Sequence, residues 1–374
     1  MVVVGAGMIG ASCAYAATIA GLNVTVIDRA GVAAGTTGAG EGNILVSDKE
    51  PGPELDLAQW SAGIWHRWGD QVGAEAIELE PKGGLVVASE QPGLDALTAL
   101  AAQQEAAGVA VQRVDAPRDL EPRLADGLAG GVYYPQDMQV QPMLAAARLL
   151  QAARDKGAEI RKNTELVALG TTAGRLTTVT TNRGTIAARY VVNAAGTWGG
   201  EVSALMNAPV PVLPRRGFIL VTEPLPPDMI RHKVYTADYV ASVASSDEGL
   251  ETSTVVESTK SGTVLIGASR ERVGFDRALS VPVIRTLARG ATRLFPFLAE
   301  VRLLRAYRGF RPYCPDHLPV IGADPRIGGV LHACGHEGAG IGLAPATGTM
   351  IANLLSGAAS PVDPRPFSPG RFIA

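Results

Sequence analysis

VVVGAGMIGASCAYAATIAGLNVTVID, residues 2–28, decides the fold of this chain. Three valines form a β-branched run, glycines follow at 5, 7 and 10, an alanine-rich helical stretch runs to Gly21, and a second β-branched run closes at Asp28. Strand, glycine turn, helix and strand in that order predict a βαβ unit. In the spacing GxGxxG the first glycine permits a tight turn, the second lets backbone approach a pyrophosphate, and the third lets helix pack on strand, while the helix N-terminus attracts the phosphate charge. Asp28 ends the second strand, where a carboxylate accepts hydrogen bonds from a ribose and repels a 2′-phosphate. The stretch therefore points to an adenine dinucleotide without that phosphate, NAD or FAD, with Gly5, Gly7, Met8, Ile9, Gly10, Asp28 and Arg29 as candidate contacts.

Composition narrows the partners. With 374 residues, 47% of them hydrophobic, the chain is long enough to bury a large core in two or three domains. A net charge of −3 and a pI near 6.0 leave no basic footprint for nucleic acid or anionic membrane, so a small molecule is the expected ligand. Three scattered cysteines, Cys13, Cys314 and Cys334, give no disulfide framework and fit a reducing cytoplasm. No Lys or Arg precedes the first apolar stretch and glycines interrupt it, which argues against a signal peptide; no other stretch is apolar enough to span a bilayer.

Further along, residues 51–80 carry an amphipathic helical pattern with Trp60, Trp65 and Trp68, and GGLVVAS reads as a strand. LDALTALAAQQEAAG, from Leu94 to Gly108, is helical, and VAVQRVD follows as a strand. A helix over roughly 141–156 precedes GAEIRKNTELVAL, a second strand-like run, and TTVTTNRGTIAARYVVNAAG reads as a hairpin leading into an apolar strand. Strands are expected over 213–222 and 262–267, and a helix over about 281–295. The final segment, GVLHACGHEGAGIGLAPATGTMIANLLSG, repeats the opening order of strand, glycine loop and helix.

A second glycine-rich stretch, GTTGAGEGNI at 35–44, offers backbone donors and hydroxyls to a polar ligand, for which NAD has no particular use. With it, the chain resembles the D-amino acid oxidase superfamily of flavoproteins, which includes glycine oxidase and the sarcosine oxidase β-subunit. The resemblance runs through YVVNAAGTWGGEV at 190–202, RRGFILVTEPLP at 215–226, RGFRPYCPDHLPVIG at 308–322 and GHEGAGIGLAPATG at 335–348. It implies FAD as cofactor and an α/β chain, α+β overall. A Rossmann-like FAD-binding domain of the glutathione-reductase-like type would take residues 1–82, 140–208 and 310–374. An interleaved substrate domain on a mostly antiparallel sheet would take 83–139 and 209–309. Further cofactor contacts are then expected at Thr36, Thr37, Gly42, Asn43, Val167, Ala194, Ala195, Gly196, Trp198, Gly338, Ala339, Gly340, Ile341 and Gly342.

Arg311, in GFRP, resembles the family's arginine for the substrate carboxylate, and a planar guanidinium can take a carboxylate through two parallel hydrogen bonds. Tyr235, Tyr239 and Tyr307 are candidates for substrate contact, since a phenol supplies an apolar wall and a hydrogen bond. His336 is a candidate neighbour of the flavin. The implied reaction is oxidation of a small amino acid or secondary-amine acid, such as glycine, a D-amino acid, proline or hydroxyproline, or an N-substituted amino acid. Hydride would pass to flavin N5, leaving an imine. Details of RRGFILVTEPLP and GHEGAGIGLAP resemble the flavin subunits of hydrogen cyanide synthase, opine dehydrogenase and D-hydroxyproline dehydrogenase types. That resemblance implies partner subunits as well as a small-molecule substrate, or else a homo-oligomer, and a cytoplasmic chain that partner subunits could hold at a membrane.

Three other readings compete. HACGHE, 332–337, crowds His332, Cys334, His336 and Glu337 together, but the glycines after it break any strand that would align them, and no second ligand cluster accompanies them. An NAD-dependent dehydrogenase would have no use for the carboxyl-terminal glycine loop. A flavin subunit that only transfers electrons would share every motif and oxidise nothing itself.

Overall fold

In the computed structural model, which describes residues 1–239 and 247–373, the opening stretch forms strand β1 (Val2–Val4), helix α1 (Met8–Ile19) and strand β2 (Thr25–Asp28), with β1 and β2 parallel. They lie inside a six-stranded sheet. Beyond β2 comes β8 (Glu159–Lys162), and on the other side of β1 stand β12 (Val191–Asn193), β19 (Val330–Cys334) and β18 (Val320–Ala323). All neighbours are parallel except β18 and β19. Because successive side chains on a strand point to opposite faces, Val3, Val26, Val192 and Leu331 bury against helices on one side. Val2, Val4, Ile27, Val191 and Val330 bury on the other.

The helical layer contains α1, α2 (Pro53–Val72), α4 (Pro142–Asp155) and α7 (Gly340–Ser356), packed together. Helix α1 is alanine-rich because it is enclosed; Ala11, Ala14 and Ala17 are fully buried. The opposite face is covered by α5 (Gly199–Leu205) and an antiparallel sheet of β9 (Leu166–Thr172), β10 (Arg175–Thr181) and β11 (Gly184–Ala187). GAEIRKNTELVAL thus splits into two strands in two different sheets. Asn163 sits between them at φ 52°, a left-handed conformation that Asn tolerates better than most residues and that ends β8.

The second large sheet has eight strands. Its order is β17 (Leu303–Tyr313), β13 (Leu213–Thr222), β16 (Val264–Arg270), β15 (Glu251–Ser258), β14 (Lys233–Thr236), β4 (Gly84–Ala88), β6 (Gly130–Tyr134) and β5 (Gln112–Val114). Only β14 and β4 run parallel; the other pairs are antiparallel. Helix α6 (Val281–Leu294) covers one face through Val283, Leu287 and Leu294, against Phe218, Leu220, Val256 and Ile266. The other face looks toward the first sheet. Helix α3 (Gln91–Ala106) flanks β4 and β6, and β3 (Asn43–Ile44) pairs with β7 (Met138–Gln139) between the two large sheets' segments of chain. The expected division between 309 and 310 falls inside β17, which pairs with β13 at the edge of the eight-stranded sheet. No helix among the described residues is long and apolar enough to cross a membrane.

Candidate functional site

A cavity of about 370 Å³ runs from the β1–α1 turn to the cavity-facing strands of the eight-stranded sheet. At its first end Gly5 turns the chain at φ 116°, and a Cβ there would collide with Ala194 O; L side chains seldom adopt that conformation. Helix α1 starts without a side-chain cap, so first-turn N–H groups remain for an anion. Thr37 leans over the turn, its Oγ1 accepting from Met8 N–H at 2.9 Å. Asp28 is fixed by its own loop: one oxygen accepts from Ala6 N–H and the other from Ala30 N–H, both at 2.8 Å, and each retains capacity for a further donor.

Thr36, Thr197 and the carbonyl of Phe310 tie the cavity's walls together. Thr36 Oγ1 and Thr197 Oγ1 stand 2.8 Å apart, and Phe310 O accepts from both, at 2.8 and 2.5 Å. Around the rim, the Arg29 guanidinium lies 4.3 Å over the Trp198 ring, which stacks on Phe275.

The opposite end is bounded by the loop before α7. Helix α7 begins at Gly340, also uncapped, and Gly338 and Gly340 line the cavity. Trp65 Nε1–H donates to Ile341 O at 3.1 Å and Ser61 Oγ–H to Gly342 O at 2.5 Å, so α2 fixes this first turn in place. His336 is 2% exposed, and burial pushes its pKa down to about 3, leaving a neutral ring. Thr347 Oγ1 donates to Leu343 O and therefore accepts from His336 Nε2–H at 2.9 Å. Glu337, next to it, turns away from the cavity. Its carboxylate pairs with Arg215 at 2.8 Å and His317 at 3.2 Å; burial raises its pKa, but the His317 and Arg215 hydrogen bonds outweigh burial and hold it below the usual range.

Arg311 projects from β17 into the space left by Gly217 on β13, where any Cβ would collide with Nη1. Among the described residues Nη1–H donates to Ser269 O at 2.7 Å and the guanidinium has no carboxylate partner. An unpaired guanidinium facing a cavity is prepared for an anionic ligand.

Of the residues expected from sequence, Gly5, Gly7, Met8, Ile9, Asp28, Arg29, Thr36, Thr37 and Asn43 line the cavity. So do Ala194, Ala195, Gly196, Trp198, Tyr239, Arg311, His336, Gly338, Gly340 and Ile341. The others stand elsewhere, each for a physical reason. Gly10 lets α1 close on the turn, since a Cβ there would strike Gly5 O; Gly42 packs in the same way against Val140 O. Gly342 lies against β3, with its Cβ position 3.4 Å from Ile44 Cα, and Ala339 is the N-cap of α7 packed into the core. Val167 follows Leu166 on β9 and takes the outward direction, 50% exposed. Tyr235 is fully buried and its hydroxyl donates to Ser47 Oγ; Tyr307 lies behind the wall with its hydroxyl on Gly40 O at 3.3 Å. The side chains of HACGHE diverge. His332 pairs with Asp324 at 3.2 Å, Cys334 is buried with its thiol pushed up to about 12, and His336 turns to Thr347. Among the described residues no group of three or more His, Cys, Asp or Glu gathers as a metal would require.

Sequence reading passed over Glu41, which lines the cavity, and the buried pair Lys233 and Glu257 behind it, 3.0 Å apart. The available signal was a lone acid in the glycine run GTTGAGEGNI and charged residues at the ends of the apolar runs KVYT and TVVES.

The family described as FAD dependent oxidoreductase, DAO, matches residues 1–354. Glycine oxidase of Pseudomonas aeruginosa is 29% identical over 375 residues, covering 99% of this chain and 98% of that protein. Hydrogen cyanide synthase subunit HcnC of the same organism is 33% identical over 257 residues, 68% of this chain, and the match spans 58% of that subunit's length. The crystal structure of glycine oxidase from Geobacillus kaustophilus superposes with a TM-score of 0.89 at 27% identity, covering 100% of this chain and 98% of the other.

Proposed function

Because this chain belongs to the FAD dependent oxidoreductase (DAO) family, we propose that it oxidises the C–N bond of a small amino acid or secondary-amine acid held by its carboxylate on Arg311. The observation that carries this reading is the Arg311 guanidinium, exposed to the cavity and without an acidic partner among the described residues. The cavity fits the cofactor. Gly5, Gly7 and the uncapped start of α1 would take the pyrophosphate, Asp28 the ribose, and Gly338, Gly340 and the uncapped start of α7 the ring end where negative charge develops. When bound, FAD supplies a two-electron acceptor for the substrate's α-carbon.

Arg311 fixes the carboxylate in plane and so orients the α C–H. Tyr239 and Ile219 wall the same end of the cavity and exclude water there. His336 stays neutral and leaves the local charge to the two helix N-termini. Loss of the α-hydrogen with its bonding pair turns a neutral amine into an iminium ion, which water hydrolyses to the oxo acid and ammonium or a released, protonated amine. The kinship with a hydrogen cyanide synthase subunit and with glycine oxidase supports a glycine-like or N-substituted substrate, and the subunit kinship favours assembly with partner chains. The unpaired, buried Cys13, Cys314 and Cys334 suit a reducing compartment such as the cytoplasm.

The test is an oxygen-free screen that follows flavin bleaching with glycine, sarcosine, proline, hydroxyproline and D- and L-amino acids. At least one amine is expected to bleach the flavin, and Arg311→Ala should lower kcat/KM for it by about 10²–10³-fold. Bleaching by none of them sinks the amine-oxidation reading, and full activity in the variant removes Arg311 from the site.

A further inference from the structure

Glu41 lines the cavity but has no part in the site just described. Its side chain is 6% exposed. Oε2 accepts from Asn43 Nδ2–H at 2.9 Å and lies 3.6 Å from Lys233 Nζ, whereas Oε1 has no hydrogen-bond donor among the described residues. Lys233 in turn donates to Asn43 Oδ1 and to Glu257 at 3.0 Å. Lys82, beside Glu257, has its own acid in Glu80 at 3.5 Å. Among the described residues two carboxylates, Glu41 and Glu257, thus share the ammonium of Lys233. The oxygen left without a donor among the described residues belongs to the cavity-facing member of this group.

The position of that oxygen relative to Arg311 is informative. Glu41 Oε1 rests on Gly267 of β16, where a Cβ would collide with it, and Arg311 Nη1 rests on Gly217 of β13 in the same way. Ile219 packs beside Gly267, with Cδ1 3.2 Å from its Cβ position, and Ser269 O crowds Gly217. Gly217 and Gly267 therefore lie on one face of adjacent strands, across a one-residue slip in register, a separation on the order of 8 Å. Two hydrogen bonds of about 3 Å, one to each group, leave between them the short distance that separates carboxylate from amine in an α-amino acid. The terminal torsion of Glu is soft, so the carboxylate can turn Oε1 from Gly267 toward the cavity.

We propose that Glu41 recognises the substrate's amine, Oε1 accepting an N–H of the amino group while Arg311 holds the carboxylate, so that the cavity selects amino acids over carboxylates that lack an amine. The proposal rests on the amine-oxidation reading above and adds to it the group that reads the nitrogen.

The FAD-loaded enzyme is titrated calorimetrically with 2-aminoisobutyrate, which has an amine and a carboxylate but no α-hydrogen to lose, and with isobutyrate, which has the same skeleton and no amine. The wild type is expected to bind the amine compound at least about tenfold more tightly, the effect of one charge-assisted hydrogen bond. Glu41→Gln should remove that preference while leaving isobutyrate within about twofold. Glu41→Asp keeps a charge for Lys233 and withdraws the carboxylate; it should lower the preference too, and it serves where the Gln variant fails to retain flavin. An unchanged preference in the variants, or no preference in the wild type, overturns the assignment. Oxygen-free mixing of the wild type with glycine, sarcosine and proline separates the two levels. Bleaching with an unchanged preference in the variants removes Glu41 alone, and no bleaching by any amine removes the reaction itself.

Discussion

The two ends of the cavity are built from different material. At the β1–α1 end the surface offered to a ligand is backbone: a glycine turn, helix N–H groups, and a carboxylate clasped by the loop that carries it. At the other end the backbone of the loop before α7 is joined by side chains from segments far apart in sequence. Arg311 comes from β17, Tyr239 from the segment after β14, and Glu41 from the loop before β3. Backbone sites depend on local conformation and tolerate no Cβ; side-chain sites depend on register between distant strands and tolerate substitution at a graded loss.

The largest effect that exposes this difference is expected at Gly5. Gly5→Ala combines a left-handed φ of 116° with a collision against Ala194 O, and neither strand can move without disturbing the parallel pairs β1–β2 and β1–β12. Destabilisation of about 3 kcal/mol or more is expected, read as flavin content of the purified protein below a tenth of wild type. Gly338→Ala supplies the contrast within the same cavity. Gly338 has φ 69°, but its nearest neighbours are the Arg311 Cδ and Nε at 3.9 Å, so only backbone strain of about 1–2 kcal/mol is expected. Equal flavin loss in both variants would show that space is not what separates the two loops.

His336 gives the next effect, in pH. Its pKa is about 6.5 when exposed and about 3 when folded, so between these values the unfolded chain binds a proton that the folded chain refuses. Its contribution to stability is whole above pH 6.5 and is lost as pH falls toward 3, by up to about 1.4 kcal/mol per pH unit. Replacement by Gln, which can still donate to Thr347, should flatten the wild-type loss of urea resistance between pH 6 and pH 4 by up to that slope. Parallel pH profiles for the two proteins would mean that His336 already takes up its proton in the folded state.

The same contrast explains what was legible in the sequence. The βαβ unit, the closing strand–loop–helix and most cavity contacts at 5–43, 194–198 and 338–341 could be read because glycine spacing and strand–helix alternation encode backbone geometry locally. The split of GAEIRKNTELVAL was hidden, since one left-handed Asn carries the break. Glu41 was hidden for another reason: its importance lies in Lys233 and Glu257, brought beneath it by the pairing of β14 with β15. The inward or outward direction of Val167 depends on which face of β9 meets α5, a matter of tertiary packing that alternation alone leaves undecided.

The smallest effect separates two adjacent tyrosines that residue type alone cannot distinguish. Tyr235 and Tyr239 meet edge to face at 5.1 Å, yet Tyr239 lines the cavity and Tyr235 sends its hydroxyl into the core, to Ser47 Oγ, which in turn donates to the buried Asp137. Tyr235→Phe leaves the ring packing intact and removes one donor from that chain. The loss should be about 1 kcal/mol of stability, with kcat/KM for the best amine found in the screen within about twofold of wild type. Tyr239→Phe alters a surface the ligand meets and should change KM. If Tyr235→Phe lowers kcat/KM and leaves the unfolding midpoint in place, the buried chain through Ser47 to Asp137 belongs to the reaction, and the boundary drawn between cavity wall and core at this pair is in the wrong place.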